Sequence, residues 1–289
     1  MGQSFLNNFI AHLAKRIEED SNKSEEAWMP TFILTIWRES QLADGWEDSL
    51  ANFDAVSIKI MDGVKPYDHR GAESMIAKLK GSPIDVHGWG YHYCQEPARA
   101  RDEAIAVAMR CEELGITHYH WNAERHWKEG VGTPSDNAIV FAEELKKLAP
   151  RVMLYANCFV SLTTKEMAKH FNYFEPMCYG TKRKTIASKV GKRMSGKPFP
   201  AVRTGIMVGT GRVNSKVSGQ YWGYISPPGK EQEPLGLAQL VKVHSPCFVN
   251  FFRAGRIDGQ DMGMVGNEVN PKLSDQVGLV LDHLGQAQV

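Results

Sequence analysis

The chain has 289 residues, 43% hydrophobic and 23% charged, and its 34 Lys and Arg against 33 Asp and Glu leave a formal charge of +1. That composition excludes a disordered chain and gives no bulk electrostatic support for binding nucleic acid or a membrane surface. The five cysteines, Cys94, Cys111, Cys158, Cys178 and Cys247, form no C-x-x-C pair, which suits free thiols in a reducing compartment better than a disulfide frame or a zinc site.

The first stretch, "MGQSFLNNFIAHLAKRIEED", has no continuous apolar core of the secretion-signal kind and runs into acid. Leu6 stands where the myristoylation pattern needs Ser or Thr. Phe5, Phe9, Ile10, Leu13 and Ile17 recur at helical spacing, so residues 1–29 read as a helical extension. No run approaches the roughly 20 apolar residues of a membrane span.

Eight short apolar runs then follow in order, at 31–37, 53–60, 84–91, 117–122, 152–157, 173–179, 201–208 and 247–252. Helical patterns separate them. A weak, glycine-interrupted one at 38–52 comes first, then 71–81 and 96–115, the latter ending on Gly115 as a C-cap. The pattern at 135–150 opens on Ser135 as a candidate N-cap and stops before Pro150. Those at 163–171, 233–244 and 274–285 complete the set. This alternation predicts an α/β fold, a (β/α)8 TIM barrel over residues 30–289 with an extra N-terminal helix, as a single domain. An open doubly wound sheet uses the same alternation, but no G-x-G-x-x-G or P-loop motif follows the first strand. "GTGR" at 209–212 reads as a turn, and the stretch from Gly209 to Glu233 has the length of a binding loop.

Chemistry in such barrels gathers where strands end. Strand alternation puts Asn122 and Glu124 on one face at the exit of the fourth strand, with His118 and His120 deeper. The third strand aligns His87, Trp89 and Tyr91, and the sixth aligns Glu175, Met177 and Tyr179. Trp37 closes the first strand and Asn157 the fifth, while Asn250 and Phe252 lie on the eighth. Aromatic faces stack on pyranose rings and amides bond their hydroxyls. A carboxylic acid with raised pKa is then needed to protonate a glycosidic oxygen. Trp37, His87, Trp89, Tyr91, Asn157 and Glu175 are accordingly candidate substrate-binding residues.

The pattern N-A-E (122–124) with P-M-C-Y (176–179) resembles TIM-barrel hydrolases acting on N-acetylated sugars. Chitinases and barrel-type lysozymes carry D-x-E at the first position, endo-β-N-acetylglucosaminidases carry N-x-E, and chitinases have M-x-Y at the second. The run "GWGYHY … NAERHW … PMCYG" also resembles a group of uncharacterised phage and bacterial glycosidase-like barrels. The likeness spans roughly residues 30 to 260 in layout and about a dozen positions in motif. It implies a glycosidase that cleaves an N-acetylhexosamine cell-wall polysaccharide of the peptidoglycan kind, with no cofactor and no metal. Glu124 would be the general acid, Asn122 would orient the substrate acetamide, and Tyr179 would bond that acetamide or the developing charge.

The chain departs from chitinases in having Asn122 and Gly180 where they have Asp. A non-catalytic carbohydrate-binding or phage virion structural barrel therefore stays open. His87, His118 and His120 leave a metal-dependent hydrolase open too, against the plainer reading of barrel-filling histidines. The segment 182–197 has seven basic residues and no acid, so the expected partner is a polysaccharide, anionic ones included, and not nucleic acid. Cytoplasmic synthesis, followed by release as a phage endolysin or carriage on a virion, would fit. The sequence sets no oligomeric state.

Overall fold

A computed structural model describes residues 29–36, 42, 50–67, 71–178, 199–200, 203–209, 237–252, 264–265, 268–269, 277–282 and 284. The expected N-terminal helix, Trp37, Tyr179, the basic segment 182–197 and residues 210–233 lie outside them.

The first strands in chain order are β1 (Thr31–Ile36), β2 (Ala55–Asp62), β3 (Lys65–Pro66) and β4 (Asp85–His92). They are followed by β5 (His118–Ala123), β6 (Met153–Cys158), β7 (Tyr173–Phe174), β8 (Ile206–Gly209) and β9 (Phe248–Phe252). All but β3 pair in parallel, in the order β7-β6-β5-β4-β2-β1-β9-β8, while β3 folds back antiparallel on β2. The two ends of that path meet. Parallel bridges join Phe174 to Thr204 and Met177 to Met207. Gly205 N–H donates to the Phe174 carbonyl at 3.0 Å, and Cys178 N–H donates to the Met207 carbonyl at 2.8 Å. Eight parallel strands thus close a (β/α)8 barrel, with no free edge between first and last.

The seventh barrel strand is shorter than the apolar run at 201–208 suggests. Arg203 turns away from the sheet, and its guanidinium donates to the carbonyls of Asn172 (2.6 Å), Ala168 (3.1 Å) and Phe171. A small antiparallel pair, β10 (Met264–Val265) with β11 (Glu268–Val269), was not legible as strands.

Helices α1 (Ala72–Leu79), α2 (Pro97–Leu114), α3 (Arg125–Lys128), α4 (Pro134–Leu148), α5 (Met167–His170) and α6 (Leu237–His244) flank the strands, and residues 277–282 form a further helix. Gly115 ends α2 in the left-handed region at φ 70°, as its capping role requires. The start of α4 differs from expectation. Thr133 is the N-cap and Pro134 the first helical residue, so Ser135 lies inside the first turn. The proline ring fixes φ for that position and has no N–H to satisfy there.

Outward-facing strand residues such as Ile58, Tyr119, Trp121, Leu154, Val208 and Phe251 bury against the helices. Inside, Ile33, Ala55, Tyr155 and Phe248 form a separate apolar floor. Polar residues fill the barrel above that floor, and this inversion of the usual apolar interior positions the site.

Candidate active site

β5 ends at Ala123, and Glu124 follows at once as the residue preceding α3. Its carboxyl is half-buried, and burial raises its pKa above the ordinary carboxylate value, partly opposed by a hydrogen bond from Asn122. Asn122 is only 7% exposed, and its Oδ1 has no hydrogen-bond partner among the described residues. Tyr91 lies close by. Burial first, and the Glu124 charge second, push its phenol pKa up, while its hydroxyl sits 3.0 Å from His126 Nδ1.

Beside Tyr91, a bulge in β2 alters which residues face the mouth. Register runs Lys59↔Trp89, then skips to Met61↔Gly90 and Asp62↔Tyr91. The extra residue keeps Ile60 and Met61 in the outer core and leaves Asp62 level with Tyr91. Asp62 accepts from Lys59 Nζ and from the Tyr93 hydroxyl, each at 3.1 Å. The Lys59 ammonium also lies 4.1 Å from the Tyr67 ring centroid and 5.3 Å from that of Trp89. Trp89 is buried, its indole N–H donating to the Ile36 carbonyl at 3.1 Å and its ring set edge-on to Phe252. Lys59 and Asp62 were missed as candidates. A lysine inside the apolar run "AVSIKIMD" was a visible signal, whereas Asp62 fell past the expected strand end because of the bulge.

One layer down, Glu175 is completely buried and accepts three donors: His120 Nδ1 at 2.9 Å, Asn157 Nδ2 at 3.0 Å and Asn250 Nδ2 at 2.6 Å. Thr35 Oγ1 donates in turn to Asn250 Oδ1 at 2.7 Å. On the other side His120 Nε2 lies 3.0 Å from His87 Nδ1, and His87 stacks on His118 at 4.5 Å. Burial, then the neighbouring His120 and His118, hold the His87 pKa well below its ordinary value. Both His87 and Glu175 were expected among substrate contacts. They lie beneath the mouth instead, linked through His120, so this trio is a hydrogen-bonded filling. Asn157, 1% exposed, pairs in register with Asn122, and its Oδ1 also lacks a partner among the described residues.

Among the described residues, one group places His, Cys and Glu ligand atoms within 4.8 Å of one another: His92, Cys94 and Glu103, outside the barrel lumen between β4 and α2. Its carboxylate already accepts from Arg99 Nε (2.9 Å), Tyr93 N–H (3.1 Å) and Cys94 N–H (3.3 Å), with His92 Nδ1 at 2.8 Å. Burial pushes the Cys94 thiol pKa well up, away from the thiolate a metal would need. This group serves as the hub that pins α2 to β4. No described helix is long and apolar enough to cross a membrane.

No family model and no curated protein sequence matches the chain. Solved structures do. The spore cortex-lytic enzyme SleL of Bacillus megaterium matches at TM-score 0.60 and 8% identity, over 89% of this chain and 75% of that one. A chitinase from Bacteroides thetaiotaomicron matches at TM-score 0.60 and 10% identity, over 87% of this chain and 95% of that one. An endo-β-N-acetylglucosaminidase from Cordyceps militaris matches at TM-score 0.57 and 12% identity, over 90% and 93%. The chain therefore has the barrel fold shared by this chitinase, this endo-β-N-acetylglucosaminidase and this cortex-lytic enzyme.

Proposed function

We propose that the protein is a glycoside hydrolase of N-acetylhexosamine polymers, with Glu124 as its general acid. The observation that carries this is a carboxyl at the strand exit, its pKa raised by burial, beside a buried amide whose Oδ1 is unpartnered. A raised pKa keeps the proton available to a higher pH than an ordinary carboxylate would. Glu124 protonates the glycosidic oxygen as the bond to the anomeric carbon breaks. The substrate's own acetamide oxygen closes on that carbon, while Asn122 Oδ1 accepts the acetamide N–H and supports the positive charge that develops. Water then attacks the same carbon, gives its proton to the Glu124 carboxylate and reopens the ring. No protein nucleophile is needed, in keeping with the commitment of Glu175 to three donors and of Asp62 to Lys59 and Tyr93.

Trp89 and Tyr91 shape the walls in this reading. His87 and Glu175 support from below. Resemblance in fold to chitinases and a cortex-lytic enzyme supports a cell-wall glycan of the peptidoglycan class as substrate. The basic run 182–197 suits an anionic one, met by a lysin that reaches the wall after cytoplasmic synthesis. Asn122 in place of Asp favours one second reading, a sugar-binding barrel without chemistry.

Proton NMR of the first-formed product tests the mechanism. Retained anomeric configuration, with no cleavage of the de-N-acetylated oligosaccharide, is expected; inverted product, or equal cleavage of both, contradicts acetamide participation.

A further inference from the structure

Two buried carbonyl oxygens in adjacent strands lack donors among the described residues, and the second is oriented by the Glu175 carboxyl. Asn122 Oδ1 and Asn157 Oδ1 belong to register partners on β5 and β6, both side chains are more than nine-tenths buried, and neither oxygen has a partner among the described residues. A buried acceptor without a donor costs roughly 1–3 kcal/mol, so two side by side in the lumen, level with the ends of β5 and β6, point to donors supplied by a ligand. The orientation of Asn157 follows from its neighbours. Glu175 accepts through both oxygens, and the atom facing its Oε2 at 3.0 Å is the Asn157 amide nitrogen. That nitrogen also faces Met207 Sδ at 2.9 Å. The carbonyl oxygen is thereby left for another partner. Glu175 cannot swing away, because His120 and Asn250 hold it from the other sides.

We propose that Asn157 and Asn122 form a paired-acceptor subsite that takes two donors of one sugar residue, the 2-acylamino N–H and a second N–H or O–H beside it. In this proposal Glu175 is a positioning residue that fixes the Asn157 amide. It rests on the hydrolase reading for the identity of the sugar. It also accounts for a fully buried carboxylate that the chemical steps do not use.

The test combines kinetics on N-acetyl-chitotetraose with calorimetric binding of the same sugar to the Glu124→Gln protein. Asn157→Leu is expected to raise KM and weaken binding at least about tenfold, with kcat changed far less. Glu175→Gln brings an amide NH2 into a set of donors. That lets Asn157 turn over, so a similar rise in KM is expected. The decisive readout is the double variant Glu175→Gln/Asn157→Leu. If Glu175 acts through Asn157, its KM matches that of Asn157→Leu alone; independent multiplication of the two effects would refute the positioning role. An Asn157→Leu protein with unchanged melting temperature and KM within about twofold of wild type would overturn the subsite. Should wild type bind the sugar without cleaving it, and Asn157→Leu lose that binding, the subsite stands and the hydrolase reading falls. No binding and no cleavage by wild type would sink both.

Discussion

Burial raises the pKa of Glu124 at the strand exit, and that has opposite consequences for chemistry and for stability. Its folded pKa lies above the ordinary value, so the alkaline limb of kcat is expected at a higher pH than an unperturbed carboxylate gives. Asn122 pulls that pKa down, so Asn122→Ala should move the limb further up while lowering kcat. A pH–rate series on both proteins checks the order, and a downward move would contradict it. For stability the sign is fixed by linkage. A raised carboxyl contributes stability below its unfolded pKa, near 4.3, and that contribution is lost as pH rises through the folded value. Glu124→Gln should therefore melt higher than wild type at neutral pH, with the gap closing toward pH 4. At this scale the sequence was informative where strand parity decides the matter. Glu124, Asn122 and Tyr91 could be placed by alternation alone. The depth of His87 and Glu175 could not, because depth depends on barrel closure and on side-chain partners far apart in the chain, such as Asn250.

Elements hold these residues in place through two devices that lie outside the lumen. Glu103 on α2 gathers His92, Arg99 and the backbone after β4. Burial alone would raise its pKa, but those donors outweigh it and leave the carboxyl below its ordinary value. Stability from a depressed carboxyl is present above its unfolded pKa and lost as pH falls through the folded one. Glu103→Gln is expected to cost about 3 kcal/mol at neutral pH, with the difference from wild type shrinking only below the unfolded pKa of about 4.3; urea melts at neutral pH and in stronger acid, down to about pH 2.5, would show it. The second device is the pair of glycines in β4. A Cβ on Gly90 would lie 2.7 Å from Met61 Cβ, and one on Gly88 would lie 2.5 Å from Ile60 Cδ1. Gly90→Ala should therefore destabilise by about 2 kcal/mol or more, and an unchanged denaturation midpoint would refute this packing argument. Those glycines make room for the bulged residues of β2. Bulges leave little trace in alternation, which is why Asp62 went unplaced. Helix boundaries were legible where Gly115 marked them and misplaced at Thr133, where the proline outweighed the serine.

Across the whole molecule, alternation of apolar runs and helical patterns was enough to call for a closed barrel, because eight crossover units leave few other ways to cover both faces of a parallel sheet. Sheet order bears this out from β1 round to the Met177–Met207 bridge. Free thiols were legible as well, and the inertness of the four buried ones follows from packing. Cys94, Cys111, Cys158 and Cys178 are buried, Cys247 is partly exposed, and burial raises the Cys111 pKa to about 12. A native-state thiol titration should thus register Cys247 ahead of the other four, all of which react on denaturation. Rapid labelling of Cys94 or Cys158 in the folded protein would contradict the closed outer core. The interior polar filling was legible only in part, as barrel-filling histidines; its joining through Glu175 to Asn157 and Asn250 was not, since a lumen packed with His, Asn and Glu departs from the branched apolar layers that such barrels usually carry. Its best explanation is a mouth that must present amide and carboxyl groups in fixed orientations to a sugar. The most direct measurement is release of new reducing ends from purified peptidoglycan and from chitin oligosaccharides, read by mass spectrometry for wild type and Glu124→Gln. Release by wild type, reduced on the order of 100-fold or more in the variant, is the expected result; equal release by both proteins, or none by either while oligosaccharide still binds, would contradict Glu124 as the acid of a working glycosidase.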